Sequence, residues 1–427
     1  MQKKLLTLAV AGALGAPGLA LAQASVEVYG TVNMSFGNVR WSGAPINAGN
    51  TQAVSSTSKW DVASHASNYG LRGRENLGGG LTAWFQIETN APMERSANIA
   101  ITPASRNSAV GVQGAFGNAF MGQWTTPWAD LDALWAIGTV GGWGPVTSII
   151  GRRETTGVAP NPFCANTIPV PAAGTTGANI CDAVESAGGV GHPFWRRVSN
   201  AVFYQSPVIN GLQGKFAYQT NEGRAANGTG SAAFGSTANP SMWSASGQWS
   251  GMGGAARIGF AYDKHSEFSA AKKNDIGYAV KGGYDFGVFD LGLAFEKMTY
   301  QSPAAGGSEC ELVNTAVAVS FPIASGFIRG SWAKASDMND AGCGPAGTAI
   351  SPAGSFVGAN GATEVNIGYE HRFSKRTTIG IGYARIDNDA LGTHSWTGLP
   401  PNSGGAANGP ATGQDVSTFF LNMIHRF

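Results

Sequence analysis

The chain has 427 residues, of which 43% are hydrophobic and 12% are charged, and 62 of them are glycine. A soluble domain carries about 25% charged residues, so this chain has about half the charge that a fully water-exposed surface needs. Its mean hydropathy of −0.06 excludes a bundle of apolar membrane helices. The net charge of +1 provides no basic patch for nucleic acid. A closed β-barrel satisfies these limits, because half of each strand faces lipid and half faces a polar interior.

Residues 1–22 have the pattern of a secretory signal peptide. A basic start is followed by an apolar run that is broken at Pro17 and ends in Ala20-Leu21-Ala22, a small-x-small cleavage site. Cleavage after Ala24 fits almost as well. The run is too short for a membrane anchor. We therefore expect residues 1–22 to direct export, and residues 23–427 to form the barrel.

Period-two alternation of apolar and polar residues predicts strands along the mature chain. The clearest segments are 26–36, 81–88, 257–263, 364–373 and the last nine residues, 419–427. A soluble β-sandwich alternates in the same way, so alternation alone does not identify a barrel. Aromatic residues near the predicted strand ends are typical of membrane interfaces: Tyr69, Tyr284, Phe286, Tyr369 and Phe373.

The connections also favour a membrane barrel. Tight glycine-rich turns at 76–80 and 115–118 alternate with long stretches at 42–58 and 392–413, as in outer-membrane barrels. Roughly sixteen strands of about ten residues each leave connections that average about fifteen residues. An eight-stranded barrel would need implausibly long loops. A barrel of the larger size is too wide for side chains to fill, so it holds a water channel.

Several segments, in this order and spacing, resemble one family over nearly the whole chain: the general diffusion porins of Gram-negative bacteria, in the form common among β-proteobacteria. The segments are Val26-Glu27-Val28-Tyr29-Gly30, residues 67–81, Phe116-Gly117-Asn118 before Gly122-Gln123, residues 197–207, and His425-Arg426-Phe427. The resemblance implies an all-β, sixteen-stranded antiparallel transmembrane barrel in the outer membrane. It further implies a homotrimer and a third extracellular loop folded inward as a constriction. The outer-membrane insertion machinery would read Phe427.

The natural constriction loop is residues 125–195, and its function would be to limit the size of passing solutes while wall charges bias which solutes pass. Acids on the loop opposite bases on the wall would create a transverse field. The loop acids are Asp130, Asp132, Glu154, Asp182 and Glu185, and the loop bases are Arg152 and Arg153. The facing wall or rim offers Arg72, Arg74, Arg196, Arg197 and Lys215. The alternative for each charge is a solvated position with no role in selectivity.

The same loop contains Trp128, Trp135, Trp143 and Trp195. One interpretation is that these rings pack the loop against the inner wall. The other is an aromatic slide, because flat rings bury apolar faces readily. The second leaves room for a channel that selects sugars or aromatic solutes, beside the expected passive diffusion of small hydrophilic solutes and ions.

Four cysteines follow a signal peptide into an oxidising compartment, and we expect each to lie in a Gly/Pro/Asn-rich loop rather than in a strand. We predict disulfides Cys164 to Cys181, within the constriction loop, and Cys310 to Cys343, although three connectivities are possible. A zinc site is the alternative. No Cys-x-x-Cys spacing exists and the histidines are scattered, so we predict neither a metal nor a cofactor.

Catalytic motifs are lacking: there is no Gly-x-Ser-x-Gly, no phosphate-binding loop and no His-Glu-x-x-His. The rival classes are an outer-membrane barrel enzyme and a closed structural barrel. The enzyme would need an apposed histidine, but His371 and His425 fall on the predicted lipid face. The closed barrel would need large lumen side chains, whereas the lumen-facing positions are often Gly, Thr, Asn or Ala. The sequence therefore predicts a channel and no enzyme.

Overall fold

The structure is a computed structural model. It describes residues 25–43, 56–94, 103–151, 194–220, 241–266, 272–301, 309–338, 360–390, 392–396, 410 and 413–427. The predicted signal peptide, residues 1–22, lies outside them. Within these ranges, no helix has both the length and the apolar character needed to cross a membrane.

Seventeen strand segments form one antiparallel sheet, and the last segment pairs with the first, which closes the barrel. The segments are β1 (Ser25–Ser42), β2 (Thr57–Ser64), β3 (Asn68–Gly78), β4 (Leu81–Asn90), β5 (Ser108–Gly114), β6 (Gly117–Thr125), β7 (Arg197–Gln205), β8 (Leu212–Gln219), β9 (Ser241–Gly251), β10 (Ala256–Ser266), β11 (Asn274–Asp285), β12 (Asp290–Gln301), β13 (Glu309–Ile323), β14 (Gly326–Ala335), β15 (Ala362–Arg372), β16 (Thr377–Asn388) and β17 (Asp415–Arg426).

Two of these segments are halves of one strand. Both β2 and β3 pair with β1: β2 along residues 34–41 and β3 along residues 25–31. The strand breaks at 65–67, where Ala66 adopts a φ of +52°. The barrel therefore has sixteen strands, which confirms the predicted fold class and strand number.

Short and long connections alternate as predicted. The first short turn joins β3 to β4 through Gly78, Gly79 and Gly80, which all have positive φ, a conformation that glycine adopts without strain. Another joins β5 to β6 across Gly114 and Gly117. The opposite end of the barrel carries the long connections, including the one between β16 and β17.

The two faces of the strands separate as the alternation predicts. In β15, Glu364 and Asn366 are buried inside the barrel, whereas Ile367 is 59% exposed on the outside. His371 shares the outward face of Ile367, and His425 is exposed on the outward face of β17. Both histidines therefore point away from the lumen.

The hydrophobic core lies inside the barrel, between the strands and a segment that we call the inner loop: residues 126–151 and 194–196 between β6 and β7. This loop begins and ends one residue later than predicted, because Thr125 still pairs with Arg197. The strands beneath it present small buried side chains to the lumen: Ala261, Ala279, Ala294, Ala316 and Ala333. These leave room for larger side chains from the loop.

The inner loop starts with one helical turn, α1 (Pro127–Asp130). The Thr126 side chain caps this turn by accepting a hydrogen bond from the backbone N–H of Ala129, and Pro127 occupies the first turn, where its missing N–H costs nothing. Two 3₁₀ turns follow, at 131–134 and 145–147. The chain thus turns sharply from the wall into the lumen.

One expectation about the cysteines is wrong. Cys310 is the second residue of β13, where its backbone pairs with Tyr300, because β12 and β13 continue together beyond the predicted loop boundary. Cys164, Cys181 and Cys343 lie outside the described residues, so both disulfides stay predictions.

Candidate constriction site

A buried lysine on the wall holds the inner loop. The Lys281 Nζ of β11 lies 2.6 Å from Asp132 Oδ1 of the loop and 2.8 Å from Glu296 Oε1 of β12. The side chains of Lys281 and Glu296 are fully buried. Removing charges from water is costly, and it is offset only when the pairing and the remaining hydrogen bonds are good.

Indole and backbone donors supply those remaining hydrogen bonds. Trp135 Nε1 and Trp195 Nε1 donate to the two Asp132 oxygens at 2.9 and 2.7 Å. Trp128 Nε1 donates to Glu296 Oε1 at 3.1 Å, and the backbone N of Gly151 donates to Glu296 Oε2 at 2.5 Å. Three of the four loop tryptophans therefore serve the same buried ion cluster.

A second ion pair lies at the root of the loop. Lys215 Nζ of β8 is 2.9 Å from Asp130 Oδ2, and Thr125 Oγ1 donates to Asp130 Oδ1 at 3.0 Å. The structure thus brings together two residues predicted for the constriction, Asp130 and Lys215. They form a direct contact and do not face each other across a passage.

Hydrogen bonds to backbone carbonyls continue along the loop. Arg257 Nε of β10 donates to Leu134 O at 2.7 Å, and Asn314 Nδ2 of β13 donates to Ile149 O at 2.8 Å. Further along, Ser148 donates to the Glu364 carboxylate of β15. The loop is therefore attached to successive strands of one side of the barrel.

Glycines on the wall make niches for the loop. A Cβ at Gly259 would lie 2.6 Å from the Leu131 side chain and 2.8 Å from that of Leu134, so a larger residue there would displace them. Val140 occupies a similar niche formed by Gly368 and Gly380. Close packing of this kind fixes the position of the loop.

Most of the loop tryptophans are packed against the barrel wall and do not face the lumen. Trp128, Trp135 and Trp143 are each at most 1% exposed, and Trp195 is half-buried against Asp132. Of the two interpretations of these rings, packing describes the first three.

The described residues of the inner loop, 126–151 and 194–196, do not cover the opposite side of the barrel. Glu27 and Arg72 point inward from β1 and β3, remain exposed, and form a bidentate pair at 2.8 and 2.9 Å. Arg74, two residues further along β3, is also exposed.

Further inward charges accompany these residues. Arg106 Nε lies 2.5 Å from Glu88 Oε1. The other carboxylate oxygen, Glu88 Oε2, accepts a hydrogen bond from the Tyr29 hydroxyl at 2.9 Å. Arg197 Nε donates to Asn107 Oδ1 at 2.7 Å. Alternation in the segment 81–88 already placed Glu88 on the polar face, whereas nothing in the sequence singled out Arg106.

Some predicted residues cannot be placed. Arg152, Arg153, Glu154, Asp182 and Glu185 lie outside the described residues.

Phe427 closes the barrel seam, because its backbone exchanges two 3.1 Å hydrogen bonds with Gly30. In the described ranges, no group of three or more His, Cys, Asp or Glu side chains is arranged to hold a metal ion.

The lumen therefore has two sides. On the covered wall, β9–β17, most inward side chains are buried. The open wall, the first half of β1 and β3–β8, keeps Glu27, Arg72 and Arg74 exposed and most of its inward amides half-buried. Asp132 belongs to the attachment on the covered wall, whereas Arg72 and Arg74 face the lumen.

Comparisons with known proteins agree with this architecture. A family model described as Gram-negative porin matches residues 7–391. An outer membrane porin protein of Bordetella pertussis is 25% identical over 310 residues, 70% of each chain. The outer membrane porin protein 32 of Delftia acidovorans is 30% identical over 168 residues, which are 39% of this chain but only 44% of that relative's length.

Solved structures share the fold. The chain matches the structure described as an anion-selective porin from Comamonas acidovorans with a TM-score of 0.65 and 19% identity, covering 95% of this chain and 100% of that one. A loop-deletion mutant of OmpT of Vibrio cholerae matches with a TM-score of 0.56 and 11% identity, over 95% and 99% of the two chains. With a closed sixteen-stranded barrel, a long segment held inside it and a family match over most of its length, the chain belongs to the Gram-negative porins, outer-membrane channels for passive diffusion.

Proposed function

We propose that solutes cross the barrel between the inner loop and the open wall. One observation carries this proposal: most inward side chains are buried on β9–β17, whereas most of those on the first half of β1 and on β3–β5 reach water. The inner loop would limit solute size from one side, and the open wall would bias charge from the other.

The charges on the open wall support a weak preference for anions. The described charges along this side of the passage include Arg72, Arg74, Arg106 and Arg197, with Glu27 and Glu88 beside them. Asp130 and Lys215 neutralise each other at the root of the loop. Because most of these bases have acidic partners or lie in water, the field is small and screened by salt.

Passage of solutes through the barrel involves no catalytic step. Passive diffusion requires only a water-filled passage of suitable width. The inward charges described above hold the inner loop or line that passage. We accordingly propose that the chain is neither an enzyme nor a cofactor carrier.

We further propose how the chain is exported, assembled and cross-linked. The mature chain would assemble as a homotrimer after export by the 1–22 signal peptide. Phe427 would be read by the insertion machinery, which suits its exposed ring (48%) at the barrel seam. A Cys164 to Cys181 disulfide would stiffen the predicted 125–195 constriction loop, and Cys310 to Cys343 would link β13 to a later connection.

Planar-bilayer recording tests the channel directly. The purified protein should give stepwise conductance in KCl, with closures in triplets for a trimer. Under a salt gradient, the reversal potential should lie slightly to the anion side. Silence over many insertions would contradict the open channel, and a clear cation preference would contradict the charge assignment alone.

A further inference from the structure

Two indole rings face the lumen on the open wall. Trp84 of β4 and Trp124 of β6 are half-buried, and their ring centroids lie 5.8 Å apart at an interplanar angle of 71°. We propose that these two rings form a binding subsite for a carbohydrate, which would bind through an uncharged pyranose ring as it passes. This inference rests on the proposed passage along the open wall.

The two indoles rest on a rigid aromatic base. Each lies 5.3 Å from the Phe120 ring, and Phe120 stacks on Phe203 at 4.8 Å with an interplanar angle of 6°. Phe120 and Phe203 are only 4% and 5% exposed. The indoles are thus held in place before a solute arrives, which lowers the entropy cost of binding.

One glycine makes this arrangement possible. A Cβ at Gly111 of β5 would lie 2.5 Å from the Phe120 Cβ and 2.8 Å from the Trp84 Cε2. Without a side chain there, Trp84 crosses β5 and reaches Phe120 on β6. The indole orientation is further fixed by a hydrogen bond from Trp84 Nε1 to Asn118 Oδ1 at 2.8 Å.

Polar groups adjoin the rings. Asn118 also lines an open cavity of about 300 Å³ near the short-turn end of the barrel, a volume at the lower end of the range for small-molecule sites. The other polar side chains lining it are Thr82, Gln113, Gln205, Ser206 and Gln213. None of the described residues lining the cavity is charged.

The amides are partly ordered among themselves. Gln213 Nε2 donates to the Ser206 carbonyl oxygen at 3.2 Å, and Gln248 Nε2 donates to Gln213 Oε1 at 3.2 Å. Each amide offers both donors and an acceptor. Neighbouring amides therefore match the neighbouring hydroxyl groups of a sugar, each of which both donates and accepts.

This chemistry favours a carbohydrate over other solutes. The C–H face of a pyranose is apolar and packs on an indole, while its hydroxyls reach the amides. An ion would find no opposite charge in the cavity. A purely aromatic solute would displace water from the amides without replacing those hydrogen bonds, which costs affinity.

The subsite lies on the proposed route. Trp124 is followed directly by Thr125, whose side chain contacts Asp130 at the root of the inner loop, and Gln113 lies next to the short turn between β5 and β6. A solute that passes the constriction therefore meets the rings first and the amides afterwards.

The experiment measures how maltotriose blocks the ionic current through single channels. Maltotriose should reduce the wild-type KCl current in a saturable way. Trp84→Leu should raise the half-blocking concentration about tenfold, as expected for the loss of one well-placed aromatic contact, and Gln113→Leu should raise it severalfold. Trp60→Leu is the matched control, because Trp60 is 69% exposed on the outward face; it should change nothing.

The outcomes separate the two proposals. An open channel whose current is insensitive to maltotriose, or is blocked by benzyl alcohol alone, overturns the carbohydrate subsite and leaves the diffusion channel standing. Equal block of the wild type, Trp84→Leu and Gln113→Leu overturns the location of the subsite. A protein that never conducts overturns the channel itself. Gln113→Leu keeps the test decisive if Trp84→Leu does not fold, because the Gln113 side chain has no packing role in the aromatic base.

Discussion

The covered wall and the open wall of this barrel have the same strand pattern but different inward side chains. The covered wall combines glycine and alanine with a few buried charges, and several of these residues, among them Gly259, Gly292 and Lys281, adjoin the inner loop. The open wall carries arginines, carboxylates, amides and two indoles that reach water. One side of the lumen therefore holds the inner loop, and the side chains of the other side are accessible to solutes. Substitutions on the covered wall should change stability and pore size, whereas those on the open wall should change selectivity.

The largest expected effect is on the covered wall. Lys281→Ala leaves Asp132 and Glu296 as buried carboxylates without a cation, a change that typically costs about 3 to 5 kcal/mol. We expect a lower unfolding midpoint in denaturant and a larger, noisier single-channel conductance as the inner loop loosens. The control is Lys297→Ala, which breaks the exposed Lys297–Glu311 pair and should cost about 1 kcal/mol or less. Equal destabilisation by the two variants would contradict the attachment role of Lys281.

The second effect depends on pH and involves His394, a buried residue outside the strands. Burial lowers the pKa of His394 from 6.5 to about 4. Its ring lies between the inner loop and the segment that follows β16, where its backbone N–H donates to Asn388 Oδ1 at 2.8 Å. When the structure unfolds and His394 reaches water, its ring takes up a proton below about pH 6.5, whereas the buried ring stays neutral down to about pH 4. The packed arrangement therefore loses stability as the pH falls through this window, by about 3 kcal/mol in total.

Measurement of the unfolding midpoint between neutral pH and pH 4 tests this prediction. His394→Gln removes the titrating group, so its midpoint should fall less steeply with acid than that of the wild type. His371→Gln is the control, because His371 lies on the outward face. If the acid sensitivity is the same in all three proteins, His394 is not responsible for it.

The third effect tests the glycine niches. A Cβ at Gly292 would overlap the carbonyl oxygen of Trp135, a backbone atom that cannot move without the loop. Gly292→Ala should therefore cost about 1 to 3 kcal/mol as overpacking and should shift the conductance. Gly247→Ala on β9, where a Cβ has nothing within 4 Å, should leave both unchanged. A silent Gly292→Ala would mean that the inner loop rests less closely on β12 than the structure shows.

The two walls also differ in how far the sequence predicts them. Alternation predicted the strands and placed Glu88 on the lumen side, because a strand pattern is local. The partners of the inner loop are not local: Asp132 and Lys281 are 149 residues apart in the chain, and no short pattern connects them. Sequence reasoning therefore identified Asp132 as a constriction acid but missed Lys281 and Glu296.

The tryptophans show the same limit. Their number in the 125–195 segment was compatible both with packing against the wall and with an aromatic surface, because composition does not tell which face of a ring is covered. The structure buries Trp128 and Trp135 beside a lysine and two carboxylates, and the indoles that reach the lumen, Trp84 and Trp124, belong to strands. The alternation in the segment 81–88, which puts Trp84 on the same face as Glu88, was one available signal. Gly111 on the lumen face of β5 was another, because a missing side chain there marks where a neighbouring ring can lie.

The smallest expected effect is on the open wall and concerns Arg72. Arg72→Ala leaves Glu27 without its partner and adds negative potential to the passage, so the reversal potential should shift toward cations. Both groups are exposed, and salt screens exposed charges over about 10 Å at 0.1 M. The shift should therefore be small, largest at low salt and lost in concentrated KCl, with the unfolding midpoint nearly unchanged. Arg72→Lys, which keeps the charge, should show no shift, and Glu27→Gln combined with Arg72→Ala should return the potential to the wild-type value. A shift that persists in the double variant would show that shape at this position, and not charge, controls the ions.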